Sequence, residues 1–219
     1  MIIGGPSLTK YNDRTLKDLT TAPASASSSP GALVHIKTLT ASSSSTLSFV
    51  HGSSDVVLDS TYPIYKFEFT NMHPATDQQS FEFNTSTDSG SNYNTTKTTT
   101  FFYAYNRGSD SATNFQYDSN RDLAQSTDFQ KLTFNSNIDN YSSASGSLTL
   151  FNPSSTTFVK HFMSVTNDDA QTSGEQGLSQ VCYTAGYMNT TNAINAIQFK
   201  YSSGNIDAGT IKLYGIKDS

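Results

Sequence analysis

The chain has 219 residues and a formal net charge of −5, and only 14% of its residues are charged. Its polarity comes from 34 Ser, 29 Thr and 17 Asn, while 12% of the residues are aromatic, a balance typical of a folded protein. The 13 Lys and Arg residues are scattered singly, so no groove for nucleic-acid phosphates is expected. No apolar run approaches the roughly 18 residues that cross a bilayer, so no membrane contact is expected either.

The first 31 residues hold little that could build a core. Residues 22–30 form a Pro, Ser and Ala tract of the kind found in extended linkers. We therefore predict that residues 1–31 are an extended N-terminal arm that anchors the protein to a partner. The side chains expected to make that contact are Ile2, Ile3, Tyr11, Leu16 and Leu19.

Residues 32–219 follow the period of two that indicates β-strands. Aromatic and charged residues alternate at 65–69, for example, so one face is expected in the core and the other in water. We predict one domain here, a jelly-roll-like antiparallel β-sandwich without helices. The predicted strands are 33–39, 46–50, 56–58, 65–69, 81–83, 99–105, 131–134, 147–151, 157–165, 181–187, 196–201 and 210–216.

A long polar stretch at 106–128 carries no sustained period and is predicted to be a loop excursion at one end of the sandwich. Aromatic residues in this loop and in the one near 85–95 are candidate contact residues, namely Tyr93, Phe115 and Tyr117. Such residues can stack on sugars, but they also form subunit interfaces. The absence of Trp, a common sugar-stacking residue, favours an interface.

No catalytic or cofactor motif is present. The chain lacks the glycine patterns of nucleotide-binding loops and the GxSxG elbow of hydrolases, and its four His residues form no metal-binding spacing. Asp168 and Asp169 form the densest acidic spot, and we predict that they lie in a solvated turn after a strand. That turn, or Asp118 with Asn120 and Asp122, could offer oxygen ligands to calcium, although the downstream Gly and Glu of an EF-hand are missing. We predict no enzyme activity, no cofactor and no metal.

Cys182 is the single cysteine, which excludes an intrachain disulfide framework and fits a protein made in a reducing cytoplasm. Its neighbours predict a strand, so we expect a buried thiol. The start of the chain lacks the basic and apolar regions of a signal peptide, so export by that route is not expected.

Three segments of the C-terminal half resemble virion structural proteins of tailed phages, especially the marine and cyanobacterial type. They are LTLFNPSS at 148–155, IQFKYSSGNI at 197–206 and GTIKLYGI at 209–216. The last two read as a closing β-hairpin with its turn at Gly204 and Asn205, and the likeness extends through most of 40–216 but not to the arm. The resemblance implies a β-sandwich module on the particle exterior, in a fibre, a head decoration or a tail accessory protein, and it offers no catalytic residues.

The first functional hypothesis is therefore a non-enzymatic virion component, made in the host cytoplasm and docked to other capsid or tail proteins through its arm. The resemblance implies a homo-oligomer, with trimers common among such modules. The alternative is a receptor-binding adhesin of the tail-fibre type that recognises a host-surface glycan through its loops. A depolymerising enzyme is disfavoured, since the sequence shows no carboxylate pair for it.

Overall fold

The computed structural model of the protein describes residues 32–140, 142–169 and 177–218, and within these ranges it contains strands and no helix. The predicted arm and its five contact residues lie outside the described residues. All strand pairs are antiparallel. The strands are β1 (Leu33–Ser44), β2 (Leu47–Val50), β3 (Ile64–Pro74), β4 (Phe81–Ser86), β5 (Lys97–Arg107), β6 (Thr113–Tyr117), β7 (Gln130–Lys131), β8 (Ala144–Phe151), β9 (Lys160–Asp169), β10 (Leu178–Met188), β11 (Ala196–Tyr201) and β12 (Ile206–Ile216).

Two sheets form a sandwich with jelly-roll topology, as predicted. The large sheet has the order β1-β12-β3-β8-β9-β10-β5-β6, and the small sheet has the order β2-β11-β4-β7. When the hairpins β5–β6 and β9–β10 are set aside, the remaining pairs are nested: β1 with β12, β2 with β11, β3 with β8 and β4 with β7. This nesting across two sheets defines a jelly roll. The two hairpins are insertions that extend its large sheet beyond β8.

Aromatic side chains fill the space between the two sheets. Phe199 on β11 of the small sheet lies 5.4 Å from Phe67 and 5.2 Å from Phe69 of β3 in the large sheet, measured between ring centroids. Its ring also stacks on Phe81 of the neighbouring strand β4 at 5.8 Å. All four side chains are buried. Burying each such ring contributes about 1.5–3 kcal/mol, so this cluster is a main source of stability.

A second, smaller cluster lies under the inserted strands. Phe101 and Tyr103 of β5 pack with Cys182 of β10, and Phe134 covers them from the segment after β7. The prediction of a buried Cys182 is confirmed. The long segment between β6 and β8 therefore covers the inner face of the insertions, because the small sheet does not extend that far.

One predicted strand is absent from the structure, and another is shorter than predicted. Residues 56–58 form no strand, although Val56 and Leu58 are buried in the core. Leu58 instead donates its backbone N–H to His51 Nδ1 at 3.2 Å, so burial occurs here without strand pairing. The strand predicted at 131–134 is reduced to the two residues Gln130–Lys131 of β7.

The predicted closing hairpin is also wrong. Strands β11 and β12 do not pair with each other, because β11 lies in the small sheet and β12 in the large one. The connection is an arch between the sheets. Gly204 takes the expected positive φ of 73°, and a side chain there would collide with Thr76, whereas Asn205 does not take a positive φ. Asn205 instead donates its side-chain amide to the backbone oxygen of Ser43 at 2.9 Å.

We predict that replacing Phe199 with Ala lowers the free energy of unfolding by about 3–5 kcal/mol, because it leaves a cavity that both sheets line. Urea denaturation of the purified protein measures this change. The control is Phe158→Ala, since Phe158 is 70% exposed and its loss should change stability by less than about 0.5 kcal/mol. Equal losses for the two variants would contradict this view of the core.

Candidate functional site

The outer face of the large sheet is the broadest surface built by the strands. Side chains alternate between the two faces of a strand, so Phe101 and Tyr103 of β5 point to the core while Phe102 and Ala104 point outward. None of the described strands packs over this outer face. The surface is therefore open on all eight strands within the part of the chain that the structure describes.

Four rings form an aromatic band on this face, which we define as Phe102, Phe115, Tyr117 and Tyr183. Phe102 stacks on Tyr183 of β10 at 4.9 Å with an interplanar angle of 10°, and it meets the edge of Phe115 at 5.6 Å. Tyr117 lies directly opposite Phe102 in the register of β5 and β6. Phe115 is 70% exposed and Tyr117 is 50% exposed, so the band presents its rings to the solvent.

A shallow apolar groove of about 380 Å³ continues the band toward the other end of β9 and β10. It lies between Phe151, His161, Met163 and Tyr187, with the rings of His161 and Tyr187 6.2 Å apart. His161 is exposed. Met163 is 59% exposed and extends the apolar surface from the band into the groove.

The outer face is divided by charge. Along β10, β5 and β6, and from His161 to Asn167 on β9, the outward positions contain no Asp, Glu, Lys or Arg. On the jelly-roll strands, by contrast, Lys66 pairs with Glu68 at 3.0 Å on β3, and Lys212 lies outward on β12. The inserted strands thus add an uncharged, aromatic half to a sheet whose other half is charged.

The structure brings together only two of the three predicted contact residues. Phe115 and Tyr117 lie on strand β6 and not in a loop, so the predicted excursion at 106–128 is wrong in its middle. Tyr93 is half-buried beside Gly90 in the loop before β5, whereas Phe115 lies opposite Ala104 near the end of that strand. Phe102 and Tyr183 were missed, although strict alternation from Phe101 and Cys182 would have placed both on the outer face.

The acidic candidates are structural groups in this fold. Asp168 and Asp169 belong to strand β9, so the predicted solvated turn is wrong, and Asp168 is completely buried. Asp118 forms a salt bridge with Arg121, in which Oδ2 lies 2.7 Å from Nη1. Asp122 accepts a hydrogen bond from the Tyr117 hydroxyl. No three His, Cys, Asp or Glu side chains of the described ranges are placed to share a metal ion.

Among the described carboxyl groups, Asp168 has the pKa that lies furthest from its ordinary value. Its Oδ2 accepts a hydrogen bond from the backbone N–H of Phe134 at 3.1 Å, while its Oδ1 has no hydrogen-bond donor among the described residues. Burial raises the pKa of Asp168 to about 7, and it also raises the pKa of the neighbouring Cys182 thiol. The thiol is consequently protonated and unsuited to nucleophilic chemistry.

Lys97 is a buried amine that the sequence did not single out. Its Nζ donates to the backbone oxygen of Asp128 at 2.6 Å, and burial lowers its pKa to about 7. The amine is held between β5 and the segment before β7, and its side chain is completely buried. It therefore fixes the covering segment and is not presented to a ligand.

Comparison of the chain with protein-family models, with curated proteins and with solved structures gave no significant match. The described part of the chain contains no helix that could span a membrane.

We predict that Asp168→Asn stabilises the protein at pH 8 but changes its stability little at pH 4. Because the folded-state pKa of Asp168 is raised from 3.8 to about 7, its contribution to stability is complete below about pH 4 and is lost as the pH rises through 7. The gain at pH 8 should reach a few kcal/mol, since one pKa unit corresponds to about 1.4 kcal/mol. Urea titrations of both proteins at the two pH values measure the difference, and a difference that does not vary with pH would contradict it.

Proposed function

We propose that this chain is a non-enzymatic structural protein of a tailed-phage virion, an exterior decoration or accessory component docked through residues 1–31. The observation that carries the proposal is the uncharged aromatic half of the outer sheet face. Jelly rolls occur in viral shells but also in lectins and in small-molecule-binding proteins, so the fold alone does not decide the function. The resemblance of the C-terminal segments to virion proteins supports the first of these uses.

The dimensions of the face suit a packed assembly. Eight strands about 4.8 Å apart and roughly 30 Å long present on the order of 1,000 Å². A standard protein interface buries about 800 Å² on each partner, so this face is large enough for one. On the uncharged half of the face, the hydroxyl, amide and aromatic side chains can be covered without removing ions from water, which would be costly.

The point at which the arm joins the sandwich is compatible with docking at a distance from the aromatic band. Residues 1–31 lead into β1, which is the edge strand farthest from β6 in the large sheet. A chain of this length spans up to roughly 100 Å when extended. An arm that binds a neighbouring capsid or tail protein would therefore leave the aromatic band available for other contacts.

A second candidate function, a tail-fibre adhesin that binds a host-surface glycan, is favoured by the exposed rings of Phe115 and Tyr117. Stacking of sugar rings needs flat aromatic faces next to hydrogen-bonding groups, and the Tyr117 hydroxyl is bonded to Asp122 beside them. The groove next to the band is lined mainly by apolar atoms and offers few hydrogen-bonding groups to sugar hydroxyls, which makes this the second choice.

Location on the particle tests the proposal. We expect a C-terminal tag on this chain, labelled on intact virions and imaged by electron microscopy, to mark the particle exterior. Label over the whole capsid would identify a decoration protein, and label confined to fibre tips would favour the adhesin. Absence of the tagged chain from purified virions would contradict both the structural role and the adhesin role.

Deletion of residues 1–31 should leave the sandwich folded but remove the protein from particles. The described strands begin at Leu33, so the deletion takes away none of these. Thermal melting of the truncated protein controls for folding, and quantitative immunoblots of purified virions measure its incorporation. Normal occupancy of the truncated protein would eliminate the arm as the anchor.

A further inference from the structure

Strand β6 leaves a row of backbone groups without a partner strand at the edge of the large sheet. Arg107 donates its N–H to Ala112 O at 3.1 Å, and Asp118 donates to Phe101 O at 2.9 Å. Hydrogen-bonded pairs alternate along an antiparallel ladder, so the N–H and C=O groups of Asn114 and Gln116 point to β5. Those of Thr113, Phe115 and Tyr117 point the other way, where no described strand lies.

The other sheet edges carry devices that prevent pairing, and β6 does not. At the opposite edge of the large sheet, β1 has a bulge between His35 and Lys37, and Lys37 itself is charged. The edges of the small sheet, β2 and β7, are four and two residues long, shorter than the five residues of β6. Strand β6 contains no Lys, no Pro and no break in its register with β5. Such an edge is a template for another strand.

We propose that β6 pairs with β6 of a second copy of this chain, antiparallel and about a two-fold axis at Phe115. Phe115 then lies opposite the partner's Phe115, and Thr113 lies opposite the partner's Tyr117. The free backbone groups form about six hydrogen bonds across the axis. The aromatic band becomes continuous over the two copies, with rings in directly opposed and diagonal positions that stabilise sheets.

The absence of charge argues for a second copy as the occupant. In a two-fold contact each surface meets itself, so any charged residue near the axis meets the same charge. The outward positions of β5, β6 and β10 contain no formal charge, which removes this obstacle. The geometry favours a pair of chains over the trimer that the resemblance implies, because antiparallel pairing of identical strands closes after two copies.

The pair should be weak in dilute solution. Five residues of edge strand with their flanking loops bury less than the roughly 800 Å² per partner of a standard interface, so dissociation in the micromolar range is expected. The pairing depends only on the sheet edge and not on membership of a virion. A chain that pairs in solution but is absent from particles would contradict the proposed function and leave this inference intact.

The experiment measures the mass of the full-length wild type and of its charge variants by sedimentation equilibrium at micromolar concentrations. The wild-type mass should rise with concentration from 23.7 kDa toward twice that value. Phe115→Asp and Phe115→Lys should each raise the dissociation constant at least about tenfold, because like charges meet at the axis. An equimolar mixture of the two should restore the pair, since Asp then faces Lys.

The matched control is Phe158→Asp, because Phe158 is as exposed as Phe115 but lies in the loop before β9. It should associate like the wild type. Phe115→Pro adds a second test, since it removes only an N–H that points to the open edge, and it should also abolish pairing. Melting temperatures within a few degrees of the wild type will show that the variants are folded.

Several outcomes would overturn the inference. They are a wild-type chain that stays monomeric or forms trimers, a mixture that fails to restore the pair, and a loss of pairing with Phe158→Asp. A monomeric wild type whose Phe115→Asp variant loses binding to soluble host polysaccharide would assign the aromatic band to a glycan instead.

Discussion

The packing of Phe199 against both sheets is the constraint on which the rest of the structure depends. One ring of the small sheet contacts Phe67 and Phe69 of the large sheet and stacks on Phe81 beside it. These contacts hold the nested strand pairs face to face, and burial of apolar rings is the main favourable contribution to folding. The inserted hairpin β9–β10 adds Phe162 and Met188 to the edge of this core, and Phe162 packs on Phe83 of the small sheet.

The inserted strands differ from the jelly-roll strands in what they present to water. They continue the hydrogen-bonded ladder beyond β8, and their inner face is covered by the segment around Phe134. Whereas β3 and β12 present charged side chains on the outer face, the inserted strands present Phe102, Tyr183 and Phe115 there. The extension of the large sheet thus determines where the aromatic band lies and also creates the open edge at β6.

Local alternation was sufficient to predict β3 and β5, because a period of two depends only on neighbouring residues. It could not assign pairing partners, so 197–216 was predicted as a hairpin although β11 and β12 lie in different sheets. Strand β6 was missed because its rings face solvent and turn-forming residues surround it. Asp168 was placed in a turn on propensity, but pairing with Ala144 and Gln180 keeps it in β9. The aromatic band combines residues of three strands, and only the tertiary register brings them together.

Amide hydrogen exchange along β6, followed by NMR at low and high protein concentration, tests the central claim that this inserted strand is an open edge for a second copy. The amides of Asn114 and Gln116 should be protected at both concentrations because they bond to β5. Those of Thr113, Phe115 and Tyr117 should exchange freely in dilute protein and become protected as it is concentrated. Protection that does not alternate along the strand, or that is independent of concentration, would contradict the account.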